Sequence, residues 1–393
     1  MDSIVIVNGA RTPFGSFLGE LSSLPAPILG ATAIKATLDR AGLDPELLNE
    51  VIMGNVLSAG VGQGPARQAS LLAGVPKTVG CTTVNKLCGS GLKALMFAHD
   101  TLKAGSAQAI IAGGMESMSL APHLLLTGRQ GQKMGHQKLL DHMLKDGLED
   151  AQSGRLMGEF AQDTADQHTL SREQMDEFAI ESLKRAQTAQ QQGLFAKEIV
   201  AVSYDKRGTT ITVEHDEQPR AADAAKIPRL RPVFKADGGT ITAANASSIS
   251  DGAAALLLTT ESFARANNLT IQARILGHSS AAREPAEFTL APCNAIEQLL
   301  KQLNWQVGDV DLYEINEAFA MVAMLPLQQF GIDHSKVNVY GGACALGHPI
   351  GATGARLILT LINALQERGL RRGLATLCIG GGEATAMAIE LAS

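Results

Sequence analysis

The sequence predicts an α/β fold, a mostly parallel sheet covered by helices and spread over two or three domains. Three observations carry this expectation. Apolar runs of strand length alternate with segments of helical spacing at both ends of the chain. Glycine clusters sit where a strand hands over to a helix. The pattern also occurs twice: Val84-Asn85, a glycine turn at Cys88 and a helix return as Val337-Asn338, a glycine turn at His348 and a helix. An apolar strand ending in glycines follows each helix, at residues 109–114 and 375–382. Such a repeat implies duplicated βα halves related by a pseudo-two-fold axis. At 393 residues the chain is too long for one small core.

In chain order, residues 3–8 form a buried-type strand and 9–15 a loop. Residues 28–41 have helical spacing and stop at Gly42. A strand over 50–56, a glycine-rich loop over 60–65 and a short helix through Leu72 follow. Residues 82–87 read as a strand end, Cys88-Gly89-Ser90-Gly91 as a turn, 92–104 as a helix and 107–112 as a strand ending in Gly113-Gly114. From 117 to about 235 the composition shifts to Gln, Asp, His and Met. A long helix at 172–191 carries Met175, Phe178, Ala179 and Leu183 on one face. Short strands follow at 199–204 and 209–213, and the segment reads as an insertion lying over the core. Alternation returns after Thr240. Strands are expected at 254–259, 270–277, 310–315, 336–340, 373–379 and 385–391; helices at 291–303, 316–330 and 355–366. The expected domains are 1–118 plus 250–270, an inserted loop domain at 119–249, and 271–393.

The bulk numbers exclude several classes. Basic residues number 33 and acidic 39, a net charge of −6, which argues against nucleic-acid or anionic-membrane binding. No apolar run reaches membrane-spanning length. The five cysteines are odd in number and no pair has metal-ligand spacing, so free thiols and no metal site are expected. The opening residues read as a first strand and not as a leader, and a cytoplasmic setting is expected.

Cys88 opens a helix through a glycine turn. A helix N-terminus lowers a thiol's pKa and thiolate is the nucleophile, whereas a buried cysteine can equally be a small apolar residue. His348 lies in a glycine-dense run with Pro349 placed as a first helical residue. A helix start would keep its ring neutral and able to accept a proton; the other reading is a structural histidine in a turn. Cys378 precedes Gly380-Gly381-Gly382 and reads as a core residue. Asn316 sits at a strand-to-helix junction, where it can cap the helix. Cys81, Cys293 and Cys344 read as inert.

Four stretches together, Asn85-Lys86-Leu87-Cys88-Gly89-Ser90-Gly91, Asn316-Glu317-Ala318-Phe319-Ala320, the run from Gly341 to Gly351, and Cys378-Ile379-Gly380-Gly381-Gly382, resemble the active-site motifs of the thiolase family in order and spacing. The resemblance spans the chain from Arg11-Thr12-Pro13 to the last strand. It implies a five-layered αβαβα fold of two pseudo-symmetric mixed-sheet halves with a loop-domain insertion, and a coenzyme A-dependent acyltransferase. In that reading Cys88 carries the acyl group, His348 takes its proton, and Cys378 exchanges the α-proton of the second acetyl-CoA. The backbone N–H groups of Cys88 and Gly380 hold the acyl oxyanion, and His348 with a water on Asn316 holds the enolate oxygen. Arg220 matches the arginine near the adenine and phosphate end of CoA. Ala243 and Ser247 match pantetheine contacts; Phe234, Leu148, Met157, Ala318 and Phe319 match apolar walls.

The resemblance further implies CoA thioesters as substrates without a permanently bound cofactor, and a homotetramer assembled through a loop around Ala121-Pro122-His123 and Lys133-Met134-Gly135. The chain departs from many short-chain members at Leu156, Phe288, Tyr340 and Glu383. Condensation of two acetyl-CoA to acetoacetyl-CoA plus CoA is the expected reaction. A 3-ketoacyl-CoA thiolase of fatty-acid or aromatic breakdown is the alternative within the family. A cysteine hydrolase and a non-catalytic lipid-binding protein are the readings from other classes.

Overall fold

The computed structural model describes residues 2–131 and 133–392. Nine main strands, β1 (Ile4–Arg11), β2 (Glu50–Gly54), β3 (Gly80–Val84), β4 (Ala109–Ser117), β5 (Ser250–Thr260), β6 (Ala273–Ala282), β7 (Leu312–Ile315), β8 (Arg372–Ile379) and β9 (Glu383–Leu391), carry the described core. In the first half the order is β3-β2-β4-β5-β1, with β2 parallel to β3 and β4, and β5 antiparallel to β4 and β1. In the second half the order is β7-β8-β9-β6, with β7 parallel to β8, and β9 antiparallel to β8 and β6. Tyr313 in β7 also bridges Val337 in parallel, so Val337 stands where β3 stands in the first half. The halves join where β1 meets β6, at Val5 opposite Arg274 and Ile6 opposite Ala273.

Strand periodicity explains the layers. Val5 and Val7 face an outer core with Leu29, Ile34 and Met53, under the helices Ala26–Ala41 and Pro65–Leu72. Ile4 and Ile6 face the opposite way, into a central core shared with Leu95 and Leu361 of the helices Ser90–Lys103 and Thr353–Arg368. A third core packs Ile315 and Leu374 against Ile296, Leu299 and Val322 of the helices Ala291–Leu303 and Ala320–Phe330. Three helix layers alternate with the two halves of this continuous sheet to make the αβαβα sandwich. The central helices approach almost backbone to backbone. A Cβ at Gly354 would lie 2.3 Å from the Leu92 nitrogen, and one at Gly91 would lie 2.9 Å from the Gly351 oxygen.

The segment between β4 and β5 adds the helices Met157–Gln167 and Arg172–Gln191 and the hairpin Val202–Lys206/Thr209–Val213. Ser171 and Gln174 form a reciprocal cap on the longer helix. Fully buried Arg11 fastens this segment to β1, through Nε to Glu198 at 2.6 Å and a fork to both Asp216 oxygens at 2.7 and 2.9 Å.

Several expectations are corrected. The sheet is mixed and not mostly parallel, because β9 follows β8 through the tight Gly380–Gly382 turn and must run back beside it. The strand at 107–112 continues through its glycines to Ser117. A Cβ at Gly113 would meet the Ala254 oxygen at 2.0 Å, so the glycines admit a close neighbour and do not end the strand. The strand at 336–340 reduces to the single bridge at Val337. Asn338 takes φ +47° and its side chain engages both the Ile315 N–H and carbonyl at 2.8 Å, replacing the ladder. The helix expected from 316 begins at Ala320, and the helix Met157–Gln167 was not legible in the spacing. Pro349 does not start a helix: Thr353 does, four residues later.

Candidate active site

Cys88 is presented by a strained turn. The Leu87 N–H donates to Asn85 Oδ1 at 3.0 Å, and the Lys86 N–H donates to Ser90 Oγ at 2.9 Å, which donates back to the Leu87 carbonyl at 2.7 Å. Leu87 is forced to φ +47°, which costs a non-glycine residue about 1–2 kcal/mol. The helix then starts at Ser90. A Cβ at Gly89 would lie 2.4 Å from Ile379 Cδ1, so this turn packs directly on the end of β8. That contact brings the Gly380 N–H to the Cys88 thiol. Cys88 is half-buried, and Cys378, two residues before Gly380, is fully buried.

The helix start was expected to lower the Cys88 thiol. Burial instead pushes it up to about 11, outweighing the N–H donors of Gly380 and Cys88, with Glu116 adding a smaller upward push. The Cys378 thiol is held well above the ordinary range by burial and then by Cys88. Both sulfurs therefore rest as thiols at neutral pH.

His348 is buried, and its backbone N–H donates to the Ser248 carbonyl at 3.1 Å. Thr353 Oγ1 donates to the Pro349 carbonyl at 3.0 Å, so at 2.6 Å it accepts from His348 Nδ1–H. This fixes the tautomer: Nε2 carries the lone pair, and it has no protein partner among the described residues. Burial, then the charge of Arg356, lowers the imidazole pKa to about 3. The ring is neutral as expected, but the cause is burial, since the helix begins five residues away.

Asn316 is fully buried at the end of β7, and neither end of its side-chain amide has a protein partner among the described residues. An unpaired buried amide costs about 1–3 kcal/mol, which marks a group held for something other than packing. The capping reading fails, because the helix begins at Ala320 with Phe319 as its cap residue.

A cavity of about 560 Å³ opens onto Cys88, His348, Cys378 and Gly380. Ala243 and Ser247 line it on one side; the Ser247 N–H to Ala318 carbonyl bond of 2.9 Å holds that loop beside Ala318 and Phe319, which also line it. Leu148, Met157 and Phe234 complete its apolar walls, with Phe234 lying flat on Gly158. Neither Asn316 nor Arg220 is among the residues that line it. Arg220, in the short helix Glu217–Ala221, is half-exposed and paired with Glu20 at 2.6 Å, while Gln218 beside it reaches the cavity.

Of the divergent positions, Leu156 and Phe288 line the cavity, and Phe288 stacks edge-on against Phe319 at 6.3 Å. Tyr340 packs on Phe195 away from it, and Glu383 pairs with Lys86. Two supporting residues escaped the sequence reading. Thr353 orients His348. Glu116, fully buried, accepts from the N–H groups of Val56, Leu57 and Gly351 at 2.9–3.1 Å and from Asn55 at 2.8 Å, tying the His348 loop to β4. Burial raises its carboxyl to about 7. The available signal was a lone glutamate inside an apolar strand.

A thiol, a neutral imidazole, a second thiol and two convergent N–H groups facing one apolar cavity can form and break a thioester at Cys88 and exchange a carbon-bound proton. The family profile described as the thiolase N-terminal domain matches residues 4–262, and that of the thiolase C-terminal domain matches 269–391. The chain is 50% identical over 390 residues to acetyl-CoA acetyltransferase 2 of Arabidopsis thaliana, covering 99% of this chain and 97% of the relative. It is 48% identical over 392 residues to the Escherichia coli acetyl-CoA acetyltransferase, covering 99% of each. The Bacillus anthracis acetyl-CoA acetyltransferase structure superposes with a TM-score of 0.97 at 37% identity, covering 100% of this chain and 99% of that one. The Acat5 thiolase of Ascaris suum in complex with coenzyme A gives 0.93 at 39%, covering 99% and 100%. The chain belongs to the thiolase family.

Proposed function

We propose that the chain is an acyltransferase that joins two acetyl-CoA molecules to acetoacetyl-CoA and CoA, reversibly, through an acyl-Cys88 intermediate. The observation that carries this is the convergence of Cys88, Cys378 and an unpartnered His348 Nε2 on one apolar cavity. Cys88 gives its proton to His348 Nε2, and its sulfur attacks the acetyl-CoA carbonyl while the Cys88 and Gly380 N–H groups receive the oxyanion. The departing CoA sulfur takes the proton of Cys378, which leaves a Cys378 thiolate and a protonated His348. The Cys378 thiolate then takes the α-proton of a second acetyl-CoA, the resulting enolate attacks acetyl-Cys88, and the freed Cys88 thiolate recovers its proton from His348. The enolate oxygen is received by His348 and a water on Asn316. Because both sulfurs rest as thiols, each nucleophile is made at the moment of use, which suits a high thiol pKa and a low imidazole pKa.

CoA binding is assigned to Ala243, Ser247, Phe234, Leu148, Met157, Ala318 and Phe319, supported by their place on the cavity wall. Arg220 joins them at the phosphate end once it leaves Glu20. We also propose a homotetramer, supported by exposed Leu126 and Leu139 in the inserted segment, and a cytoplasmic setting, supported by five unpaired cysteines.

Thiolysis with excess CoA tests the reading, with acetoacetyl-CoA and a medium-chain 3-ketoacyl-CoA side by side. Strong preference for acetoacetyl-CoA is expected, because the Phe288 and Phe319 rings both line the cavity and meet edge-on, taking up room that a longer acyl chain would need. Equal turnover of the longer chain would make it a broad 3-ketoacyl-CoA thiolase, and turnover of neither would overturn the assignment.

A further inference from the structure

Away from the cavity, on the seam between the two halves, three ligand-type side chains converge. His99 and Asp100 lie near the end of the helix Ser90–Lys103, and His278 lies in β6 of the other half. Asp100 Oδ1 is 3.0 Å from His99 Nδ1 and 2.9 Å from His278 Nε2, and one ligand atom of each residue lies within 4.8 Å of the others. The two rings meet edge-on, 5.0 Å apart at 89°.

We propose that His99, Asp100 and His278 bind a divalent first-row transition cation of the zinc, cobalt or nickel class. Ligand atoms about 2.1 Å from a metal are about 3.0 Å apart at right angles and about 3.4 Å apart in a tetrahedron. The two spacings from Asp100 Oδ1, 3.0 and 2.9 Å, are near that range, and the two imidazole nitrogens lie within 4.8 Å of each other. Two imidazoles and a carboxylate suit this class and not calcium or magnesium. The imidazoles are mostly buried, at 15% and 17% exposure, so their rings are held by packing; the carboxylate is 55% exposed and leaves a route for the ion. The site opens on a cavity of about 410 Å³, with room for water in the remaining positions.

The nearby cationic side chains already have partners. Lys103 donates to the Asp2 carbonyl at 2.9 Å, and Arg274 is forked onto Glu261. On binding, each imidazole presents a lone pair at the nitrogen that now faces Asp100 and carries its proton on the other ring nitrogen. The ion would clamp the helix that begins beside Cys88 to a strand of the opposite half, as a structural element independent of acyl transfer.

The full-length protein, stripped with a chelator, is titrated calorimetrically with Ni2+ and separately with Zn2+, and its Tm is followed with and without metal. One ion per chain and a raised Tm are expected. His278→Ala and Asp100→Asn should each weaken binding by roughly tenfold or more, since even outer-shell changes cost 10–100-fold at metal sites. Asp100→Asn keeps the size of the carboxylate and an oxygen able to accept from both imidazoles, so it separates ligation from packing. Circular dichroism and retained thiolysis show that the variants fold. The proposal is overturned if the wild-type chain binds no ion, if binding is unchanged in both variants, or if it is lost only in Cys88→Ser, which would place the ion on the thiols.

Discussion

His348 and Cys88 set the behaviour of the site through burial and not through helix ends. The folded imidazole gains its proton near pH 3, while an ordinary histidine does so near 6.5. Between these values the unfolded chain holds more protons, so acid removes stability across this window, by up to about 1.4 kcal/mol per pH unit from this group alone. In His348→Asn that share is absent, and Tm should fall less steeply between pH 6.5 and 4 than in the wild type. For Cys88 the raised thiol makes a different prediction. Inactivation by iodoacetamide should keep accelerating with pH through 9, with no plateau near neutrality; a plateau at pH 7 would mean a resting thiolate. Cys378→Ala should still accept an acetyl group on Cys88, visible as an added acetyl mass, yet form no acetoacetyl-CoA. Absence of the acetylated form would break the assigned division between the two sulfurs.

Among elements, the close crossing of the central layer with the His348 loop is the most sensitive contact. A Cβ at Gly114 in β4 would lie 1.8 Å from the Gly351 oxygen. Gly114→Ala should therefore cost about 1–3 kcal/mol or more in urea unfolding and depress turnover as well, because Gly351 is three residues from His348. A stability loss with normal kcat would mean that the loop adjusts without moving the imidazole. At the other end of the cavity, Phe288→Ala removes one ring of the Phe234–Phe319–Phe288 cluster. It should cost about 3–5 kcal/mol if the site does not collapse, and raise the medium-chain to acetoacetyl-CoA turnover ratio. Both substitutions act on how elements meet.

For the whole molecule, the two halves repeat one strand order, and each contributes chemistry to a single cavity. The first supplies Cys88 from the turn after β3; the second supplies Cys378 and Gly380 from the end of β8, and His348 from the loop after Val337. The cavity is completed by the inserted segment, which Arg11 fastens through Glu198 and Asp216. Light scattering on the eluted protein should give four chain masses, with the exposed leucines of the inserted segment at the contact; a single chain mass would refute the tetramer.

Much of this was legible in the sequence because it is local. Period-2 and period-3.6 patterns placed the helices Arg172–Gln191 and Ala291–Leu303 at their observed bounds. The duplicated glycine turns exposed the pseudo-symmetry, and the four motifs pointed to the residues that meet at the cavity. Contacts between distant segments were not legible. Gly113 and Gly114 look like strand ends until Ala254 and Gly351 are seen pressing on them. Asn338 replaces a strand because Ile315 is within reach of its amide. The low imidazole and high thiol pKa values follow from removal of water by residues far along the chain, and so does the use of Glu116 as an anchor. The residue types and their order were determined by the sequence alone; protonation, strand ends and the company each side chain keeps were decided by the tertiary structure, because desolvation and steric contact depend on neighbours in space.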